Sequence, residues 1–187
     1  EFRRVLFRSP QHFFVKFKDR QIGDLLNIEA TNKGIIETNR WYVKKLGITP
    51  TAFSKKTYLQ PITNKQASAA FLSSLAIQYN ERKEYKRALN VCNKILNFFP
   101  NYIHAIILKG STYALILDQE LAKRDITPST KMSAIPQKDK EYLDYLFEQN
   151  LLWFNHAESL GWKEESIESY ERYQRSIQNE IHKRKKS

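Results

Sequence analysis

The chain has 187 residues, with 41% hydrophobic and 13% aromatic content, enough for one or two small cores and too much for a wholly disordered chain. Its formal net charge is +11, its 5 Gly and 6 Pro suit a helical protein, and its lone cysteine, Cys92, excludes an internal disulfide. No apolar run reaches the roughly 18 residues of a membrane span, and sparse cysteine fits a reducing compartment, so a cytoplasmic protein is expected.

Residues 1–9 read as foreign. Glu1-Phe2 is what a GAATTC restriction site encodes in frame, and the stretch resembles a translated adaptor or cloning scar. These residues are set aside from the fold, and natural sequence is expected before Pro10, which makes the chain a C-terminal fragment of a longer protein. Without Glu1, Arg3, Arg4 and Arg8 the charge falls by two, from +11 to +9. The remaining excess concentrates in Lys16–Arg20, Lys44–Lys65 and His182–Lys186. A basic chain binds nucleic acid or an acidic partner. Here Tyr and Phe fall at helical core spacing rather than in a stacking array, so a protein or peptide partner is expected and nucleic acid is not.

His12 to Lys18 is aromatic and β-branched, Asp19 to Gly23 is a turn, and Leu25 to Glu29 is a second strand, so the two form a hairpin. Alternation places Phe13, Val15 and Phe17 on one face with Leu26 and Ile28, the apolar face expected to be buried. Pairing Phe13 with Ile28 and Val15 with Leu26 sets His12 opposite Glu29 on the less apolar face. After a loop to Gly34, Thr38 or Asn39 caps a short helix ending at Leu46-Gly47. Thr49-Pro50 has the form of an N-cap followed by proline at the first helical position, opening a helix near Thr51–Lys56. Tyr58-Leu59-Gln60, before Pro61, reads as an edge strand.

Helices follow. Thr63 or Asn64 starts one that runs to about Arg82; Tyr85 to Phe98 is its partner, with Ala88, Leu89, Cys92, Ile95, Leu96 and Phe99 inward. The next spans about Tyr102–Leu117, and a shorter one Gln119–Arg124. Thr127–Gln137 is a polar loop bounded by two prolines. A long helix runs from about Lys138 to Leu160, with Tyr142, Tyr145, Leu146, Leu152, Trp153, Ala157 and Leu160 inward and Gly161 past its end. A last helix from near Lys163 places Ile167, Tyr170, Ile177 and Ile181 on one face.

Within the helices, Leu72, Leu75, Ala76 and Tyr79, then Ala88 and Cys92, then Pro100, have the spacing of the 34-residue tetratricopeptide repeat, which this stretch resembles. Small residues at 76 and 88 let two antiparallel helices approach closely. Advancing 34 positions aligns Leu72 with Ile106, Ala76 with Gly110, Tyr79 with Tyr113 and Ala88 with Ala122. The hairpin is similar to the end of a transglutaminase-like domain, a papain-like thiol fold, in bacterial members that join it to tetratricopeptide repeats. Pro10-Gln11-His12-Phe13-Phe14-Val15 resembles the family's His strand. Asn27-Ile28-Glu29-Ala30-Thr31-Asn32 resembles its acid strand, with Glu where Asp is commoner. The resemblance covers nearly all of Pro10–Tyr113.

The resemblance implies catalytic roles for His12 as base and Glu29 as the group that orients it, in a thiolate attack on an amide or ester carbonyl. The nucleophile is not in this chain. Cys92 follows the His and faces the interior of a repeat helix, where it reads as a small buried hydrophobe. Repeat arrays present their first helices to a partner, so Gln78, Arg82 and Lys109 are the candidate protein-binding residues. His104, His156 and His182 have no partner at ligand spacing, so no metal is expected, and no phosphate loop or cofactor motif occurs.

The expected fold is α+β, predominantly α: an N-terminal antiparallel β-hairpin followed by a tetratricopeptide-type helical hairpin array. The domains are residues 1–9 (scar), 10–63 (end of the transglutaminase-like domain with linker), 64–126 (repeats) and 127–187 (a divergent helical pair capping them). Two functions follow. One is the inactive C-terminal part of a thiol protein that hydrolyses amide or peptide bonds, or transfers acyl groups, and recruits protein through its repeats. The other is a non-catalytic scaffold.

Overall fold

The computed structural model describes residues 5–9, 12–18, 25–29 and 34–163. It is α+β and mostly helical. Five strands form one antiparallel sheet: β1 (Val5–Ser9), β2 (His12–Lys18), β3 (Leu25–Glu29), β4 (Ile35–Glu37) and β5 (Pro61–Ile62), in the order β4-β3-β2-β1-β5. The hairpin expected from the sequence is β2-β3. The stretch set aside as foreign supplies β1, because Val5-Leu6-Phe7 has the β-branched and aromatic character of a strand. The edge strand expected at Tyr58–Gln60 lies instead at Pro61–Ile62, where proline at a sheet edge leaves no ladder hydrogen bond unmade.

The register differs from the expected one by two residues. Val15 pairs with Ile28, and Phe17 with Leu26. The wider sheet explains the shift. Leu6 pairs with both Ile62 and Val15, and Ile28 with Ile36. One aliphatic row, Ile62–Leu6–Val15–Ile28–Ile36, thus crosses all five strands and outweighs what β2 and β3 prefer alone.

The buried face is also the opposite of the one expected. Phe14, Lys16 and Asn27 are buried, whereas Val15, Leu26 and Ile28 are half-buried. Helix α1 (Asn39–Lys45) explains this: Phe14 stacks on its Tyr42 with ring centroids 4.4 Å apart. Lys16 donates to Asn39 Oδ1 at 2.7 Å, and Asn27 Nδ2 donates to the Glu37 carbonyl at 2.6 Å, so this face accepts polar side chains.

The expected caps are present. Thr38 Oγ1 accepts from Trp41 N at the start of α1, and Thr49 Oγ1 from Ala52 N at the start of α2 (Pro50–Ser54). Thr63 and Gln66 form a reciprocal capping box at the start of α3 (Asn64–Phe71). The helix expected from there to Arg82 is broken at Leu72, and α4 (Ser73–Glu81) continues it. Leu72 and Leu75 are each 38% exposed, so neither fills a gap in the interior. The turn at Arg82–Glu84 leads into α5 (Tyr85–Phe98), whose Ala88, Cys92 and Ile95 are fully buried.

The two helices expected over 102–124 are one, α6 (Ile103–Lys123), because no glycine or proline interrupts Leu117-Asp118-Gln119. Beyond a connection containing a 3-10 turn at Met132–Ala134, α7 (Gln137–Ser159) returns along α6. Its buried side chains are Leu143, Leu146 and Ala157; Tyr142, Tyr145 and Leu152, expected inward, are exposed. The last expected helix, with Ile167, Tyr170, Ile177 and Ile181, lies outside the described residues.

Helix α4 packs on α5, α5 on α6, and α4 also on α6. Ala76 and Ala88, on the facing helices of the first pair, are both 0% exposed. In the second pair the partner of α6 is α7. Gly110, 34 residues after Ala76, lies where an added Cβ would come within 3.1 Å of the Phe154 ring. Ala122, aligned with Ala88, is exposed near the end of α6, so that correspondence does not hold. The sheet joins the stack through a core in which Phe14, Tyr42 and Ala52 pack with Ile103, Ile106, Ala157 and Leu160. The last carbonyls of α7 are bound there by the α2 segment: Lys55 Nζ donates to Ser159 O, Thr57 Oγ1 to Leu160 O, and Thr49 Oγ1 to Gly161 O.

Candidate functional site

His12 and Glu29 are carried by neighbouring strands, His12 opening β2 and Glu29 closing β3. Their positions have the same parity, as the sequence suggests, but the ladder does not oppose them. Extending the pairing of Val15 with Ile28 sets Phe14 across from Glu29, with His12 two residues further along. The pair is therefore diagonal, a spacing of about 7–8 Å instead of about 4.5–5.5 Å. The side chains of both residues lie outside the described part of the structure. The face these positions share holds Lys16 and Asn27, both buried, with Asn27 Nδ2 3.3 Å from Asn39 Oδ1.

Cys92 is 0% exposed on the inner face of α5. Burial pushes its thiol up to about 11, an effect that the nearby Lys109 ammonium offsets only in part. A thiol so placed is protonated at neutral pH and closed to a substrate, so Cys92 has neither the ionisation nor the access of a nucleophile. Among the described residues no cluster of His, Cys, Asp or Glu could hold a metal ion, and no helix is long and apolar enough to cross a membrane.

Of the three residues expected to meet a partner, Gln78 and Arg82 are exposed on α4 and at its C-terminal cap. Lys109 is not on an open face. It is 9% exposed, and its ammonium lies 3.7 Å from the centroid of the Trp153 ring. Burial lowers its pKa. Among the described residues no carboxylate pairs with it, and the indole face is its charge partner. Nearby, Asn80 Nδ2 donates to Thr112 Oγ1 at 2.9 Å, and that hydroxyl lies 2.7 Å from the Leu108 carbonyl. This bond ties α4 to α6 behind the Gln78–Arg82 surface.

No family model, curated protein or solved structure matches the chain.

The reading of single positions missed the cations that continue from Arg82. Lys83 and Lys86, both exposed, follow it around the turn into α5, and Arg87 bonds Glu84. The signal was available in the sequence, since four of the six residues from 82 to 87 are Lys or Arg.

Proposed function

We propose that the chain is a protein-binding helical-repeat module of tetratricopeptide type. It follows the His and acid strands of a transglutaminase-like thiol domain and is itself without catalytic activity. The observation that carries this reading is the stack of α4, α5 and α6, with Ala76 and Ala88 fully buried on the facing helices of the first pair. Small residues at both positions are what a close helix crossing requires. The exposed surface of α4 with Gln78 and Arg82 is the face offered to a protein partner.

The transglutaminase-like part rests on the motifs around His12 and Glu29 and on their order before the repeats. In a complete domain of the kind these motifs resemble, such residues would serve hydrolysis of, or acyl transfer from, an amide or peptide bond, with a cysteine as the nucleophile. In this chain the only cysteine is buried and protonated, which supports an inactive module. The diagonal spacing of His12 and Glu29 favours the second reading, a scaffold whose thiol domain no longer catalyses.

Incubation with peptide amides and an amine acceptor is expected to release no ammonia and join no amine. Turnover abolished by His12→Ala would overturn the reading. The binding half is tested by photo-crosslinking from position 78.

A further inference from the structure

The turn between α4 and α5 carries a concentration of charge that the rest of the fold does not use. Lys83, Glu84, Lys86 and Arg87, with Tyr85, Asn90 and Ile116 of α6, line an open depression of about 490 Å³. Arg82 adjoins it. The only acid in the stretch from 82 to 87, Glu84, is taken by Arg87, whose guanidinium also lies 5.7 Å from the Tyr79 ring. Arg82, Lys83 and Lys86 are exposed and have no ion-pair partner among the described residues. The turn that presents them is fixed by backbone hydrogen bonds: Lys83 N donates to Asn80 O at 2.9 Å, and Glu84 N to Tyr79 O at 2.8 Å. Three cations without an ion-pair partner among the described residues, held on a fixed turn around a recess with an aliphatic and an aromatic wall, outnumber its one acid, Glu84, and fit carboxylates interspersed with an apolar side chain.

We propose that this elbow binds an acidic peptide segment of a partner protein. Its carboxylates meet Arg82, Lys83 and Lys86, and a neighbouring apolar side chain enters beside Tyr85 and Ile116. The proposal rests on the reading of the chain as a protein-binding module and gives that module its contact chemistry. Lys109 takes no part, since its charge is spent on Trp153. A nucleic-acid backbone is the weaker fit, because it calls for cations spread along a stripe rather than gathered at one recess.

The test is fluorescence anisotropy of a fluorescein-labelled peptide of alternating Glu and Leu, titrated with the full chain at low ionic strength. The triple variant Arg82→Gln/Lys83→Gln/Lys86→Gln is expected to bind about tenfold or more weakly. A control triple, Lys44→Gln/Lys94→Gln/Lys131→Gln, removes the same charge elsewhere and is expected to stay within about twofold. Should the first triple fail to fold, Lys86→Gln alone, on the surface of α5, is expected to weaken binding about two- to fivefold. An equal loss in both triples would overturn the proposal. So would no binding by the parent chain, or tighter binding of a labelled oligouridylate through the same three residues. Crosslinking from position 78 that persists while peptide affinity ignores the elbow would remove this site alone; loss of crosslinking would remove the binding reading as well.

Discussion

Gly161→Ala is expected to be far more disruptive than its place after a helix suggests. Gly161 has φ +92, in the region that side chains rarely adopt. That alone costs roughly 1–2 kcal/mol for alanine. A methyl group built there would also lie within 2.6 Å of Ala52 Cα and 2.7 Å of Ala52 Cβ, and closer still to the Ala52 nitrogen. Most of these atoms are backbone of α2, so truncating Ala52 to glycine would not relieve the clash. Overpacking of this kind costs roughly 1–3 kcal/mol, so the total is about 2–5 kcal/mol. Against a domain stability of roughly 5–15 kcal/mol, this is a large fraction. The displacement would also pull on the three hydrogen bonds that hold the end of α7, from Thr49, Lys55 and Thr57.

Gly47→Ala supplies the control, because Gly47 has φ +59 and nothing within 4 Å of an added Cβ. It carries the conformational term without the contact. Urea denaturation of the two variants beside the parent chain, analysed at equal m, should separate them by roughly 1–3 kcal/mol. If Gly161→Ala lost no more than Gly47→Ala, the close packing of the sheet module on the end of α7 would be refuted.

Ala76→Leu and Ala88→Leu, each inserting a branched side chain at a fully buried position, should lower stability by roughly 1–3 kcal/mol in the same assay; an unchanged midpoint would argue against the close helix crossing. Cys92 should resist iodoacetamide at pH 8 in the native chain and react fully in urea, whereas rapid native labelling would contradict its burial. Its thiol, raised from 9.0 to about 11, also gives stability a pH dependence. Below pH 9 both states keep the proton; from there to about 11 only the unfolded chain releases it, so stability falls as pH rises, by about 2–3 kcal/mol from this group. Lys109, with its pKa lowered by burial, acts in the opposite sense there, so the readout is the difference between parent and Cys92→Ala, which should lose less stability over that window.

Local signals in the sequence are legible where one side chain decides the outcome. Thr38, Thr49 and Thr63 each accept the capping bond their position announces, and Tyr85–Phe98 is a helix to the residue. What depends on distant partners is less legible. The hairpin alone permits registers two residues apart with the same apolar face. The choice is made by β1 and β4, which lie on either side of it. The same distance effect reversed the buried face, since Tyr42 of α1 covers Phe14 and not Val15. In α7 an aromatic stripe competes with an aliphatic one. Contact with α6 selects Leu143, Leu146 and Ala157, leaving Tyr145 at the margin, edge-on to Tyr113. The burial of Lys109 is not legible locally because it depends on Trp153, 44 positions away.

Whether α4 meets a protein partner is read by photo-crosslinking from a benzoylphenylalanine placed at Gln78, compared with the same residue at Lys44, an exposed position of α1. A discrete protein adduct is expected from position 78, absent from position 44 and lost when Ala76→Leu opens the crossing behind it. No adduct from position 78, or the same adducts from both positions, would contradict a protein-binding surface on α4.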